Sequence, residues 1–131
     1  MTIQLSIEEE KKKDLKQIEQ QIQTAVVKYI RLSYPDLLFC ASAGGMRTSF
    51  KQAVKMKATG YVRGFPDLFI YEPVGKYYGL ALEIKTSKGR PTKEQLNWKK
   101  RLLDRGYFAE IVYGFEHTRK VIDSYFSQDL D

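Results

Sequence analysis

Apolar residues near the start of the chain recur at intervals of three and four: Leu15, Ile18, Ile22, Val26, Tyr29 and Ile30. That spacing places them on one face of a helix. Ser6 with Glu9 three residues on gives the helix a capping box, and Pro35 bounds its end. The period then shortens. Leu37 to Ala41 reads as a buried strand, and Leu68 to Tyr71 as another, opened by Asp67 after Pro66. A turn at Pro73 to Gly75 separates the second run from Gly79-Leu80-Ala81-Leu82, which leads into Glu83-Ile84-Lys85, so the two runs read as a hairpin. Thr48 or Ser49 can cap a short helix through Phe50, Ala53, Val54 and Lys57, with Gly60 as its stop. Thr92 to Gln95 is a second capping box, opening a helix to Asp104 that Gly106 ends. Leu96, Leu102 and Leu103 are expected to face the core, with Trp98 at its edge. Tyr107 to Tyr113 reads as a strand and Glu116 to Phe126 as a closing helix. The order α-β-α-β-β-α-β-α predicts an α/β fold, a mixed β-sheet flanked by helices on both faces.

The 131 residues, 43% of them hydrophobic, suit one domain with one core. Residues 1–13 read as a charged extension of the first helix and 127–131 as a flexible tail. A net charge of +6 and a pI near 9.3 favour a polyanionic partner, of which nucleic acid is the leading candidate. The single cysteine, Cys40, excludes an internal disulfide and is expected to be buried. One histidine, His117, excludes zinc-finger chemistry and is expected on the surface at the start of the last helix. With no signal peptide and no long apolar stretch, the expected compartment is the cytoplasm, with no membrane partner.

Side chains two apart on a strand share a face, so Glu83 and Lys85 project together while Ile84 points away. Pairing the hairpin strands brings Asp67 beside Glu83. Two carboxylates that close repel unless a cation lies between them, and hard oxygen ligands suit Mg²⁺. Lys85 is then placed to polarise a water or stabilise a developing anion.

Pro66-Asp67 followed by Glu83-Ile84-Lys85 resembles the motif of the PD-(D/E)XK nucleases. Flanking residues narrow the resemblance: Gly44-Gly45-Met46-Arg47, Gly60 and Gly64-Phe65 upstream, and Lys85-Thr86-Ser87-Lys88-Gly89-Arg90, Thr92, Glu94-Gln95 and Trp98 downstream. Their order is similar to the VRR-NUC branch in its short stand-alone form. The resemblance implies a restriction-endonuclease-like sheet and a Mg²⁺-dependent endonuclease acting on DNA, with Mn²⁺ as substitute. It implies metal ligation by Asp67, Glu83 and the Ile84 carbonyl, and Lys85 as the residue that orients or deprotonates the attacking water. It also implies that Glu19 completes the metal site from the first helix and that Gln95 touches the site. By its residues alone, Glu19 is equally a solvated helical glutamate and Gln95 a helix cap. Stand-alone members resemble Holliday-junction resolvases, which implies a homodimer acting on branched or four-way DNA.

Arg47, Lys51 and Arg63 make the segment before Asp67 basic, and Lys88 and Arg90 add cations to the loop after Lys85. These are the candidate phosphate contacts. Tyr77-Tyr78, Tyr107-Phe108 and Tyr125-Phe126 are candidate surface for self-association, or else complete the core of the monomer. Two rival readings are a non-catalytic DNA-binding module and an assembly subunit of a replication or recombination complex.

Overall fold

The computed structural model describes residues 6–42 and 49–130. Arg47, the Gly44-Gly45 pair and Thr48 lie outside them. The long amphipathic helix forms as α1, Ile7–Ser33, with the Ser6/Glu9 capping box in place. Strand β1, Phe39–Ala41, is followed by α2, Phe50–Ala58, whose capping box is Ser49 with Gln52. Strands β2, Leu68–Ile70, and β3, Leu80–Lys85, make the hairpin. Helix α3, Lys93–Asp104, β4, Phe108–Tyr113, and α4, Gly114–Ser127, complete the chain.

The sheet order is β1-β2-β3-β4, antiparallel through β3 and parallel between β3 and β4, with α3 as the crossover. One face carries Leu68, Ile70, Leu80, Leu82, Ile84 and Val112, and buries them against Val26 and Ile30 of α1 and Ile122 and Tyr125 of α4. The other face is thinner: Phe69, Ala81 and Ala109 meet Leu102 of α3, with Phe65, Trp98 and Tyr107 at its margin. Helices therefore cover both faces. Asp123 of α4 accepts hydrogen bonds from the Tyr29 and Tyr34 hydroxyls at 2.6 and 2.7 Å, which fixes α1 against α4. That anchor sets where the remainder of α1 can reach.

Several expectations are corrected. The run Leu37 to Ala41 forms an edge strand of three residues, and Cys40 is exposed. Cys40 pairs with Phe69 on the face that α3 covers only over β3 and β4, so no described helix shields it. Leu96 and Leu103 are 47% and 41% exposed, because α3 packs along the line Gln95, Trp98 and Leu102 and those leucines fall to either side. Ile18 is exposed because the buried residues of α1 begin only at Val26. His117 is half-buried, and its Nδ1 accepts the Tyr113 N–H at 3.0 Å, covering the N-terminus of α4. The aromatic segments belong mainly to the monomer: Tyr125 is fully buried, Tyr77, Phe108 and Phe126 pack against the larger core and Tyr107 against the smaller one, leaving Tyr78 exposed.

Candidate active site

The ladder between β2 and β3 pairs Leu68 with Leu82, so Asp67 stands opposite Glu83 one step beyond the last paired residues. The Asp67 side chain reaches across the same gap. Its Oδ2 accepts the Ile84 N–H at 2.8 Å, while its own carbonyl accepts the Ser42 N–H at 2.9 Å. Asp67 is thus held from both neighbouring strands.

Glu83 and Lys85 are both buried, which is rare for charged side chains unless they are paired. Lys85 Nζ lies 3.6 Å from Glu83 Oε1 and 3.9 Å from Glu19 Oε1. Glu19 is about two helical turns before Val26, far enough along α1 to meet the last residue of β3. Gln95, in the first turn of α3, donates its side-chain N–H to Glu83 Oε1. Its Oε1 accepts the Thr92 N–H at 2.9 Å, so it also closes the capping box. Glu19, Asp67, Glu83, Lys85 and Gln95 come together from four separate elements of the chain. The Ile84 main chain lies among them.

The electrostatics follow from burial. Desolvation, and then the Asp67 charge, push the Glu83 carboxyl up to about 8 despite Lys85. Burial also raises Asp67, opposed by the Ile84 hydrogen bond, and raises Glu19, opposed by Lys85. As a carboxylate, Glu83 Oε2 is buried without a hydrogen-bond partner among the described residues; protonated, Glu83 donates to the Asp67 carboxylate, which contributes to raising Glu83 and lowering Asp67. An unmet buried acceptor costs about 1–3 kcal/mol, more when charged, so one aimed beside a second carboxylate fits a cation site. Among the described residues no three His, Cys, Asp or Glu side chains converge as a metal-ligating group. The fit is therefore to two carboxylates, a main-chain oxygen, water and phosphate, which is how Mg²⁺ is commonly held.

The predicted phosphate contacts are more scattered. Lys51 lies on α2, Arg63 in the turn before Asp67, and Lys88 and Arg90 in the loop after β3, all exposed to solvent. The Arg63 carbonyl accepts the Trp98 indole N–H at 3.2 Å, and Trp98 meets Phe65 edge to face. Trp98 therefore borders the core as expected. A 460 Å³ cleft beside Asp67, lined by Gln20, Gln23, Lys28, Arg31 and Ser42 among others, was not singled out by any motif. Its sequence signal is only a polar flank next to the apolar stripe of α1.

Fold and site together are those of an α/β nuclease-type domain, with its polar cluster where β2 begins and β3 ends. Residues 6–116 match the VRR-NUC domain, and the chain belongs to that family. A solved structure described as a VRR_NUC domain protein is 27% identical over 83% of this chain and 88% of its own, with a TM-score of 0.70. Another, described as a VRR_NUC domain, is 24% identical over 78% of this chain and 95% of its own, with a TM-score of 0.48. No curated protein matches the chain. Membership of the family makes this a nuclease-type domain that processes DNA. No helix among the described residues is long and apolar enough to cross a membrane.

Proposed function

We propose that this protein is a Mg²⁺- or Mn²⁺-dependent endodeoxyribonuclease of the PD-(D/E)XK type, acting as a homodimer on branched DNA such as a Holliday junction. The observation that carries the metal dependence is the burial of the Glu83 and Asp67 carboxyls side by side, close enough to share a proton, with Glu83 Oε2 meeting no other partner among the described residues. Asp67, Glu83 and the Ile84 carbonyl would hold the cation, with Glu19 assisting directly or through water. When bound, the cation neutralises charge on the phosphate oxygens.

The chain's own groups do the rest. Lys85, held between Glu83 and Glu19, orients the water that attacks phosphorus; as an ammonium it cannot accept that water's proton, which passes to solvent, and it stabilises the negative charge that develops as the P–O bond to the leaving oxygen breaks. Burial keeps the ammonium close to the site and away from competing solvent. Gln95 fixes which oxygen of Glu83 is free by occupying the other. Lys51, Arg63, Lys88 and Arg90 are exposed and basic, which suits phosphate contact around the cut.

Resolving a four-way junction takes two cuts placed symmetrically about its centre, and a two-fold dimer is the commonest way for one chain to supply two sites. Helix α2 offers surface for such pairing, since it packs against no other helix or strand among the described residues and exposes Phe50 and Val54. Incubation with linear, nicked and four-way DNA, with and without Mg²⁺, tests the substrate, while light scattering at micromolar concentration tests the dimer. Preferred, Mg²⁺-dependent cutting of junctions by a dimer is the expected result. A monomer that cuts linear duplex equally well overturns the substrate and assembly reading.

A further inference from the structure

The cleft beside Asp67 is one of two that run along the same side of α1. The first, 460 Å³, is walled by Gln20, Gln23, Thr24, Lys28 and Arg31 on the helix, and by Ser42 and Asp67 opposite. The second, 440 Å³, is lined by Gln17, Gln20, Gln21 and Thr24. Gln20 and Thr24 belong to both, so the cleft walled by Ser42 and Asp67 continues as a shallow, open groove along the face of α1. On a helix these residues fall on a flank next to the stripe that buries Val26 and Ile30. From Gln17 to Arg31 the groove follows about 21 Å of helix at 1.5 Å per residue.

Its chemistry is one-sided. Among the described residues the lining supplies neutral amides, the Thr24 and Ser42 hydroxyls and two cations, with Val27 as its apolar residue and Asp67 as its one acid. Among the described residues the side chains of Gln20, Gln23, Lys28 and Arg31 make no hydrogen bond or ion pair within the protein, whereas Glu19 on the neighbouring flank is paired with Lys85. Long polar side chains left unpaired along a groove suit an extended polyanion. Amides and cations of this kind are the usual contacts to phosphate and sugar oxygens.

Resting on the nuclease reading above, we infer that this groove along α1 holds the sugar-phosphate backbone of one DNA strand and leads it to Asp67. Lys28 and Arg31 each neutralise a phosphate, and Gln20 and Gln23 donate to others. At about 3.4 Å per nucleotide along a B-form strand, the groove accommodates roughly six nucleotides. Recognition through the backbone is independent of sequence, so the groove positions the strand without choosing where it is cut.

The test measures affinity of the full chain for a DNA oligonucleotide against salt concentration, without divalent metal so that no cutting intervenes. Each lost phosphate contact lowers the slope of log affinity against log salt by about 0.7 to 0.9. Lys28→Ala with Arg31→Ala is expected to reduce the slope by about 1.4 to 1.8, and Gln20→Ala with Gln23→Ala to weaken binding with little change in slope. Lys76→Ala with Lys120→Ala, two exposed cations outside the groove, serves as the control and leaves the slope unchanged. Slopes and affinities of both groove variants equal to wild type, with melting temperatures showing them folded, overturn the inference. In a parallel incubation with Mg²⁺, wild-type protein that binds DNA with the expected slopes yet never cuts it overturns the nuclease proposal and leaves the groove standing. Cutting that persists alongside unchanged binding in the variants does the reverse.

Discussion

Gln95 donates to Glu83 Oε1 while its own oxygen accepts the Thr92 N–H, so one side chain ties the start of α3 to a buried carboxylate at the end of β3. The two roles separate by substitution. Gln95→Ala loses both, and cleavage is expected to fall by about 10–100-fold, the usual cost of removing a partner that orients a metal ligand. Gln95→Glu keeps a capping acceptor at a position where glutamate is favoured, but it replaces the donor with a fourth carboxylate beside Glu19, Asp67 and Glu83. Cleavage by Gln95→Glu should remain low. Full activity in that variant would mean that Gln95 serves the helix alone.

Gly64 sits three residues before Asp67 with φ +92°, and a Cβ there would lie 2.6 Å from the Glu94 carbonyl carbon. Both the backbone conformation and the close approach to α3 require glycine. Gly64→Ala is expected to cost about 1–3 kcal/mol from the conformation alone, with more from the clash, and to lower cleavage by shifting Asp67 relative to Gln95. Chemical denaturation and a cleavage assay measure the two effects. An unchanged denaturation midpoint would contradict this reading.

The raised Glu83 carboxyl makes stability depend on pH. Its ordinary value is 4.5, and burial beside Asp67 lifts it to about 8 in the folded chain. Between those values the folded state holds a proton that the unfolded state releases, so stability is full below the lower value and falls as pH rises through the higher one. In metal-free buffer the melting temperature should decline from about pH 5 to pH 9, and Glu83→Gln should flatten that decline. A wild-type profile as flat as the variant's would show that the carboxyl titrates normally.

Much of this was legible in the sequence, for definite reasons. Asp67 beside Glu83 follows from strand alternation and hairpin register, and the extent of α1 from its apolar spacing and its Ser6/Glu9 cap. Periodicity shows which residues share a face, but not whether anything covers it. That is why Cys40, Leu96 and Leu103 were expected inside and lie exposed. The meeting of Glu19 with Lys85 depends on how α1 crosses the sheet, which the Tyr29 and Tyr34 bonds to Asp123 fix. The resemblance to a family supplied Glu19 as a candidate; spacing alone did not. The groove of Gln20, Gln23, Lys28 and Arg31 carries no motif, because an amphipathic helix has a polar flank whether or not that flank binds anything.

The central claim is that Asp67 and Glu83 together hold a divalent cation for phosphodiester hydrolysis. Asp67→Asn and Glu83→Gln each remove a ligand charge with almost no change of shape. The most direct measurement compares cleavage of four-way DNA by wild type and these two variants across a Mg²⁺ titration, with binding to the same DNA followed in parallel. The account predicts cutting by wild type that a chelator stops, no cutting by either variant, and nearly equal binding by all three. Cleavage by wild type that survives the chelator, or full cleavage by either variant, would contradict it.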